Sequence, residues 1–271
     1  MHMKKINNPY LTIINANTQY RAEDFEGFEY EQIDVAKGDC GKTYSFIESR
    51  AHAALNNAIQ DLQAVNIPST VNSAGRNFED QEDAINQFYQ KELTDNGGNE
   101  AAAQQTTDEY CAKIGYSEHH SGLAVDVVGA TADAIVSDKI KERYSDEKYA
   151  KSLKFLTKRL IMEKHGFILT YPAGSRLEET TGMKHPETWH WRYIGPEHSQ
   201  MISRIRDKVT EEVDERKADG SIVFQEVFLE DYVELLKLDT KGLDDKQILE
   251  LYCETFKNDI LKLKNENLNA L

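Results

Sequence analysis

The 271-residue sequence predicts a mixture of helices and short strands, which we class as an α+β fold. Over residues 44–67, apolar side chains recur at three- and four-residue steps, a period that predicts an amphipathic helix. Over residues 123–128, branched apolar residues alternate with Ala and Asp, a pattern that predicts a strand. Because 39% of the residues are hydrophobic, the chain can bury a core without cross-links.

The first half of the chain can be divided by its breaks in period. Residues 1–43 show no strong period, so we expect irregular structure with short extended pieces that packs on the core. The first helix should end before Pro68, since the residue preceding a proline disfavours helical geometry. A strand is predicted over residues 70–73 and a helix over residues 79–93. Residues 94–112 are polar and include two adjacent glycines, which predicts a surface loop or lid with a short helix.

The middle of the chain predicts one long helix and two strands. The helix should span residues 148–165, and Gly166 fits its C-cap. We expect its inner face to carry three leucines, namely Leu153, Leu156 and Leu160. The strands are predicted over residues 167–171 and 189–194.

The composition changes after Pro196. An amphipathic helix leads into a charged tract, and a possible short strand follows over residues 222–224. A helix is predicted over residues 229–236, and a last helix should be capped by Asp244 or Asp245. We therefore expect three parts: an N-terminal extension over residues 1–43, a main domain over residues 44–220 and a helical C-terminal segment over residues 221–271.

Charge and composition exclude several function classes. The chain carries 47 acidic and 32 basic residues, a net charge of -15, which argues against a nucleic-acid partner because such a protein needs a basic face. No apolar run reaches the length of a membrane span. The start Met-His-Met-Lys-Lys has no apolar signal segment and looks like a cloning remnant. We therefore expect an extracytoplasmic or cell-wall protein whose signal or anchor is absent from this sequence, with a cytoplasmic protein as the alternative.

The cysteines do not indicate a zinc site. Cys40, Cys111 and Cys253 are far apart and form no CxxC pair, which excludes a cysteine zinc knuckle. One disulfide among them is possible, and the sequence leaves their state and the compartment open.

Two other stretches hold the residue types of a catalytic zinc site. His119 and Asp126 lie seven positions apart, with Gly122 allowing a tight return between them, and His190 follows in a second stretch. Zinc accepts nitrogen and oxygen ligands in a tetrahedral arrangement, and a catalytic site keeps one position for water. These three residues therefore form a candidate ligand set for one zinc ion. Glu187, three residues before His190, could take a proton from the attacking water and pass it to a leaving amine.

The neighbouring His120 is an alternative ligand to His119. Adjacent side chains on an extended segment point in opposite directions, so only one of the two should face a metal. For the remaining histidines of interest we expect ordinary surface or core positions: His52, His165, His185 and His198.

Sequence patterns around these residues resemble a known family. The pattern Ser-x-His-x-x-Gly-x-Ala-x-Asp is met in full by Ser117, His119, Gly122, Ala124 and Asp126. The pattern Glu-x-Trp-His is met by Glu187, Trp189 and His190, and a weaker match joins Ser73 and Arg76 with Gln81. Together these patterns, over roughly residues 44–196, resemble the zinc D-Ala-D-Ala carboxypeptidase family, which includes the VanY-like and LD-carboxypeptidase-like peptidases of bacterial cell-wall metabolism.

The resemblance implies the architecture, the activity and the roles of the residues. It implies a small, mostly antiparallel sheet with flanking helices, of the Hedgehog/D,D-peptidase type. It implies zinc-dependent removal of a C-terminal D-alanine from peptidoglycan stem peptides, with His119, Asp126 and His190 as ligands and Glu187 as the base. Arg76 matches the family's substrate-contacting and oxyanion-stabilising arginine, and three further positions match polar substrate contacts, namely Ser117, Gln81 and Ser73.

Some positions depart from the family pattern. His120 stands where the family often has Gln, Thr188 replaces a common Pro, and Thr170 replaces a common Arg. None of these changes removes a ligand or the base, so they bear on substrate preference. Alternatives on the same scaffold are an L,D-carboxypeptidase, a D,D-dipeptidase or a cell-wall endopeptidase; a non-catalytic wall-binding protein fits less well, because binding alone does not require Glu187.

Overall fold

A computed structural model of the chain describes residues 6–36, 41–129, 153–174, 176–216 and 222–269. The described helices are α1 (Ser49–Ala64), α2 (Phe78–Asp95), α3 (Glu100–Tyr110), α4 (Leu153–Lys164), α5 (Leu177–Thr181), α6 (Pro196–Val213), α7 (Leu229–Leu235) and α8 (Asp245–Asn269). The strands are β1 (Tyr30–Asp34), β2 (Tyr44–Glu48), β3 (Ser69–Ser73), β4 (Ala124–Gly129), β5 (Phe167–Leu169) and β6 (His190–Tyr193). The α+β prediction is confirmed.

A four-stranded sheet lies at the centre of the fold. Its spatial order is β3-β4-β6-β5, and every neighbouring pair is antiparallel. A separate antiparallel pair is formed by β1 and β2. The mostly antiparallel sheet implied by the resemblance is thus confirmed.

The central sheet packs one face against α1 and α4. Leu55, Ala58 and Leu62 of α1 are fully buried, as their helical spacing predicts. On the sheet side they share a core cluster with Val125 and Trp191. Burying apolar side chains of this size contributes roughly 1.5–3 kcal/mol each, so this cluster is a main source of the sheet's stability.

A second core cluster joins the C-terminal helices to the domain. Ile202 and Ile205 of α6 pack with Tyr252 and Phe256 of α8. The last helix begins as its sequence predicts, because the Asp244 carboxylate accepts a hydrogen bond from the Gln247 amide at 2.8 Å. Among the described helices, none is both long and apolar enough to cross a membrane.

Buried ion pairs also tie the helices together. Arg159 of α4 donates two hydrogen bonds to Glu226, at 2.8 and 2.6 Å, and a third to Glu163 at 2.8 Å. Arg206 of α6 also pairs with Glu163. These contacts connect α4 and α6 with the stretch that leads into α7.

The first helix begins later than the sequence predicts. Residues 44–48 form strand β2, and the Glu48 carboxylate accepts hydrogen bonds from the amides of Arg50 and Ala51, at 3.0 and 2.9 Å. This side-chain cap fixes the start of α1 at Ser49. The helical spacing of apolar residues continues into residues 44–48, although these residues pair with β1 as a strand.

Four other expectations need correction or lie partly outside the described residues. Leu160 is 59% exposed, because α4 turns Phe155 and Met162 inwards and Leu160 lies about 200° around the helix from Met162. The strand expected over residues 222–224 is wrong, since Ile222 makes only an isolated bridge with Arg216. Residues 148–152 of the predicted helix, and Cys40, lie outside the described residues, whereas Cys253 is a buried free thiol.

Candidate metal centre

The pairing of two central strands brings an aspartate and a histidine together. Asp126 of β4 lies directly opposite His190 of β6 in the antiparallel register. Directly opposite residues project to the same face of a sheet, so the two side chains meet. Trp191, the next residue, projects to the other face and is fully buried in the core. The alternation of β6 thus anchors the strand on one face and presents His190 on the other.

His119 comes from a tight turn just before β4. Residues Glu118–Ser121 form a 3-10 turn, and the Ser117 hydroxyl accepts a long hydrogen bond of 3.4 Å from the His119 amide at its start. Gly122 ends the turn in the left-handed region, at φ 69°. A Cβ atom at Gly122 would lie 2.7 Å from the ring of Tyr30, so both backbone geometry and space require glycine.

The three side chains form a buried cluster that could hold a metal ion. Their ligand atoms all lie within 4.8 Å of one another. His190 Nδ1 is 3.1 Å from one oxygen of Asp126, and His119 Nε2 is 3.5 Å from the other. His119, Asp126 and His190 are 2%, 5% and 3% exposed, so a bound cation would be held away from bulk water.

The nitrogen of His119 that faces this cluster is available as a ligand. His119 Nδ1 donates a hydrogen bond to the carbonyl of Ala74 at 2.6 Å, which assigns the proton of the neutral ring to Nδ1. His119 Nε2 is buried and makes no hydrogen bond to any described residue. A buried, unpartnered ring nitrogen beside a carboxylate fits a metal ligand.

His190 is fixed from its far side in a similar way. Its Nε2 donates to a carboxylate oxygen of Glu118 at 2.8 Å, which leaves Nδ1 facing Asp126. The Tyr171 ring stacks on the imidazole, with the ring centroids 4.9 Å apart. Metal-binding histidines commonly donate their other N–H to a carboxylate or carbonyl in this manner.

Glu187 lies at the edge of the cluster. One of its carboxylate oxygens is 3.8 Å from His190 Nδ1, and its side chain is 14% exposed, more than any of the three clustered residues. A tight turn sets this position, because the His190 amide donates to the Glu187 carbonyl at 3.3 Å. The carboxylate can therefore meet a molecule that enters the site from solvent.

The electrostatics of the site separate the protonation states of its members. Burial, with the nearby charge of Arg76, lowers the pKa of His119 to about 4, so this imidazole is neutral at pH 7. Burial would raise the pKa of Asp126, but the nearby imidazole of His119 and the hydrogen bond with His190 hold this pKa below its ordinary value. Burial would lower the pKa of His190, but in the protein alone its hydrogen bonds to Asp126 and Glu118 raise it to about 10. A bound cation would displace the proton on His190 Nδ1, because a histidine ligand must be deprotonated at the nitrogen that binds the metal.

Arg76 lies beside the cluster. Its amide donates to the His119 carbonyl at 3.1 Å, and its charge acts on the His119 imidazole. His120, the alternative ligand, is turned away: Nδ1 donates to the Arg76 carbonyl at 2.8 Å and Nε2 accepts from the Gly115 amide at 3.0 Å. His120 is 4% exposed and both of its ring nitrogens bond to backbone groups, so this side chain braces the loop.

The other predicted polar positions have structural contacts. Gln81 donates to the Ala112 carbonyl at 2.7 Å, while its buried Oε1 makes no hydrogen bond to any described residue. Ser117 caps the turn that carries His119. Ser73 is buried at the end of β3, paired with Asp126.

Three buried residues behind the site were not predicted from the sequence. Glu118, Thr170 and Arg192 are 3%, 3% and 0% exposed, and Thr170 and Arg192 each donate a hydrogen bond to the Glu118 carboxylate. Thr170 appeared only as a departure from a family pattern. A usable signal existed, since Arg192 is two residues after His190 and therefore lies on the same face of the strand.

Comparisons with known proteins identify the central part of the chain. A family model described as VanY, D-alanyl-D-alanine carboxypeptidase, matches residues 45–196. A D-alanyl-D-alanine carboxypeptidase of Enterococcus faecium is 33% identical over 119 residues, which are 44% of this chain and 33% of the relative. The bifunctional D-Ala-D-Ala dipeptidase and D-Ala-D-Ala carboxypeptidase VanXYC of Enterococcus gallinarum is 37% identical over 99 residues, 36% of this chain and 46% of the relative. The matches thus span a third to about half the length of these curated relatives.

Solved structures share the fold. A vancomycin-resistance D,D-pentapeptidase VanY mutant from a VanB-type resistance cassette, in complex with Zn(II), superposes with a TM-score of 0.55 at 22% identity. The match covers 83% of this chain and 99% of that protein. A vancomycin-resistance D,D-dipeptidase, VanXYg, in complex with a D-Ala-D-Ala phosphinate analogue, gives a TM-score of 0.50 at 24% identity, over 80% of this chain and 76% of that one. At these identities the likeness is one of fold.

Proposed function

Because the chain belongs to the VanY family of D-alanyl-D-alanine carboxypeptidases, we propose that it is a zinc-dependent carboxypeptidase. The reaction is hydrolysis of the peptide bond before the C-terminal D-alanine of peptidoglycan stem peptides. The observation that carries the proposal is the buried cluster of His119, Asp126 and His190, with the Glu187 carboxylate 3.8 Å from His190 Nδ1.

The proposed ligands are His119 through Nε2, His190 through Nδ1 and Asp126 through its carboxylate, which together hold one zinc ion per chain. Two nitrogens and an oxygen match the donor types of catalytic zinc sites, and three protein ligands leave one position open. When bound, zinc polarises a substrate carbonyl and lowers the pKa of water. The family relative crystallised with Zn(II) supports this choice of metal.

Glu187 is the proposed general base. Its carboxylate is more exposed than the side chains of the three proposed ligands, so it can accept a proton from the attacking water. It then transfers that proton to the nitrogen of the departing D-alanine, which leaves as a neutral amine. One carboxylate thus serves both steps, first as a base and then as an acid.

Arg76 is the proposed substrate-binding cation. A planar guanidinium can bind a carboxylate through two parallel hydrogen bonds, and it can stabilise negative charge that develops on the scissile carbonyl oxygen. Its backbone is fixed to the turn that carries His119. Gln81, Ser117 and Ser73 are proposed as polar substrate contacts, and the buried Oε1 of Gln81 without a described partner supports the first of them.

We place the reaction outside the cytoplasm, where peptidoglycan stem peptides are assembled into the wall. The division into an N-terminal extension, a zinc peptidase domain over residues 44–220 and a helical C-terminal segment over residues 221–271 is part of this proposal. The start of the family match at residue 45 supports the first boundary. The C-terminal segment packs on the domain through the core cluster that α6 shares with α8.

A D,D-dipeptidase is the second candidate, because one relative is named as both a dipeptidase and a carboxypeptidase. The test is to incubate the purified protein, with its metal content measured, with a pentapeptide stem, a tetrapeptide stem and free D-Ala-D-Ala. Released D-alanine is followed by mass spectrometry. We expect release from the pentapeptide. Release from the tetrapeptide alone would indicate an L,D-carboxypeptidase, release from the free dipeptide alone would indicate a dipeptidase, and no release from any of them would overturn the proposal.

A further inference from the structure

A buried carboxylate that the proposed reaction does not use lies behind His190. Glu118 immediately precedes His119, yet its side chain turns away from Asp126 and reaches the opposite side of the His190 ring. A buried ionised glutamate is costly unless it is paired and hydrogen-bonded. Its position therefore calls for partners on both oxygens.

Both oxygens of Glu118 have such partners. Oε2 accepts from the Thr170 hydroxyl at 2.6 Å and from His190 Nε2 at 2.8 Å. Oε1 lies 3.2 Å from Arg192 Nη1, and Arg192 is itself completely buried. Arg192 also donates to the carbonyl of Thr12 at 3.1 Å, which fixes its guanidinium from the N-terminal extension.

These contacts define the orientation of His190. A carboxylate can only accept, so His190 must present its Nε2–H to Glu118 and its Nδ1 to Asp126. Rotating the ring by half a turn would place a carbon atom where Glu118 needs a donor. The strand alone sets where the Cα of His190 lies, whereas Glu118 sets which ring nitrogen faces the cluster.

We propose that Glu118 is a positioning residue that orients His190 for zinc binding, and that Arg192 and Thr170 hold Glu118 in place. This inference rests on the proposed zinc site. Outer carboxylate partners of metal-binding histidines typically account for about 10–100-fold in metal affinity. We expect a loss of that size when Glu118 can no longer accept from His190.

The test measures the zinc dissociation constant of the full chain by competition with a chromophoric chelator. In Glu118→Gln, one oxygen becomes an NH2 group and the charge facing Arg192 is lost, so zinc binding should weaken by about 10–100-fold. Thr170→Val removes one donor to Glu118 without changing its charge, and it should weaken zinc binding by roughly threefold to tenfold. The Co(II)-loaded forms of both variants should show altered visible absorption, because the geometry of the ligands changes.

Thr181→Val is the matched control, because Thr181 is also a buried threonine, and among the described residues its hydroxyl bonds only to local backbone groups. Its zinc affinity and Co(II) spectrum should equal those of the wild type. Should Glu118→Gln fail to fold, as judged by circular dichroism, the comparison of Thr170→Val with Thr181→Val decides the question.

Wild-type affinity in a folded Glu118→Gln, or equal affinities in the two threonine variants, would overturn the role of Glu118. Failure of the proposed function is distinguishable from this result. In that case the wild type itself would bind no zinc, or His190→Ala would bind zinc as tightly as the wild type.

Discussion

Replacing Glu230 with glutamine should remove a pH-dependent component from the free energy of unfolding. Glu230 lies on α7, and one carboxylate oxygen accepts from the Asn15 side chain at 2.7 Å. The other oxygen is buried without a hydrogen-bond partner among the described residues. Burial, with repulsion from Glu118 and Asp231, raises the pKa of Glu230 from 4.5 to about 7, although hydrogen bonds from Asn15 and its own backbone act in the lowering direction.

The sign and size of the effect follow from proton binding. Between the unfolded pKa of 4.5 and the folded pKa of about 7, the folded chain holds a proton that the unfolded chain has lost. This contribution to stability is therefore complete below pH 4.5 and is lost as the pH rises through 7. The shift of about 2.5 pKa units (7 minus 4.5) corresponds to roughly 3 kcal/mol at 1.36 kcal/mol per unit. Glutamine stays neutral at every pH. As the pH rises from 4.5 to 8, the unfolding free energy of Glu230→Gln should therefore increase relative to that of the wild type by about this amount.

The assay is urea denaturation of both proteins at several pH values, with the difference in unfolding free energy plotted against pH. Taking the difference cancels the other titrating groups. Glu178→Gln on α5 removes a carboxylate from an exposed position and controls for the change in net charge. A difference between Glu230→Gln and wild type that stays flat with pH would refute the assignment of a protonated, buried carboxyl.

Three other substitutions test the packing described above. Glu226→Gln breaks the two-bond ion pair between Glu226 and Arg159, whose side chains are 8% and 11% exposed respectively. The variant should lose about 3 kcal/mol of unfolding free energy in urea denaturation. A loss under about 0.5 kcal/mol would show that the pair is solvated. Gly122→Ala should lower the unfolding free energy more than Gly97→Ala in the same assay. Both glycines have positive φ, but of these two only Gly122 would place an added Cβ against a neighbouring side chain. Equal losses of stability would contradict this close approach. Leu160→Lys should change stability by less than about 0.5 kcal/mol, since Leu160 is exposed, and a large loss would restore the inward-facing prediction.

The sequence predicted the residues of the site better than their arrangement. His119, Asp126 and His190 stand out because their residue types and spacing match a ligand set, and the structure brings them together. That Asp126 and His190 are directly opposite depends on strand register, which is set by long-range pairing and cannot be read from spacing alone. The periodicity of the first helix could not reveal that Glu48 caps it, because capping depends on where the chain turns.

The residues behind the site were missed for a related reason. Glu118 reads as one more acidic residue in an acidic chain, and only the fold shows that it is buried. Its partners, Thr170 and Arg192, are 52 and 74 positions away. Local sequence patterns can therefore predict the ligand residues, which lie within short motifs. They do not predict the residues that hold those ligands in place, because these come from elements far away in the sequence.

The proposed zinc site and general base are tested together by measuring zinc content and D-alanine release from a pentapeptide on the same samples of wild type and Glu187→Gln. We expect about one zinc per chain in both proteins, since Glu187 is not a proposed ligand. We expect turnover in the wild type and a roughly 10²–10⁴-fold lower rate in Glu187→Gln, because the general base is gone. A wild type without zinc would contradict the metal site, and a zinc-loaded Glu187→Gln as active as the wild type would contradict the role of Glu187.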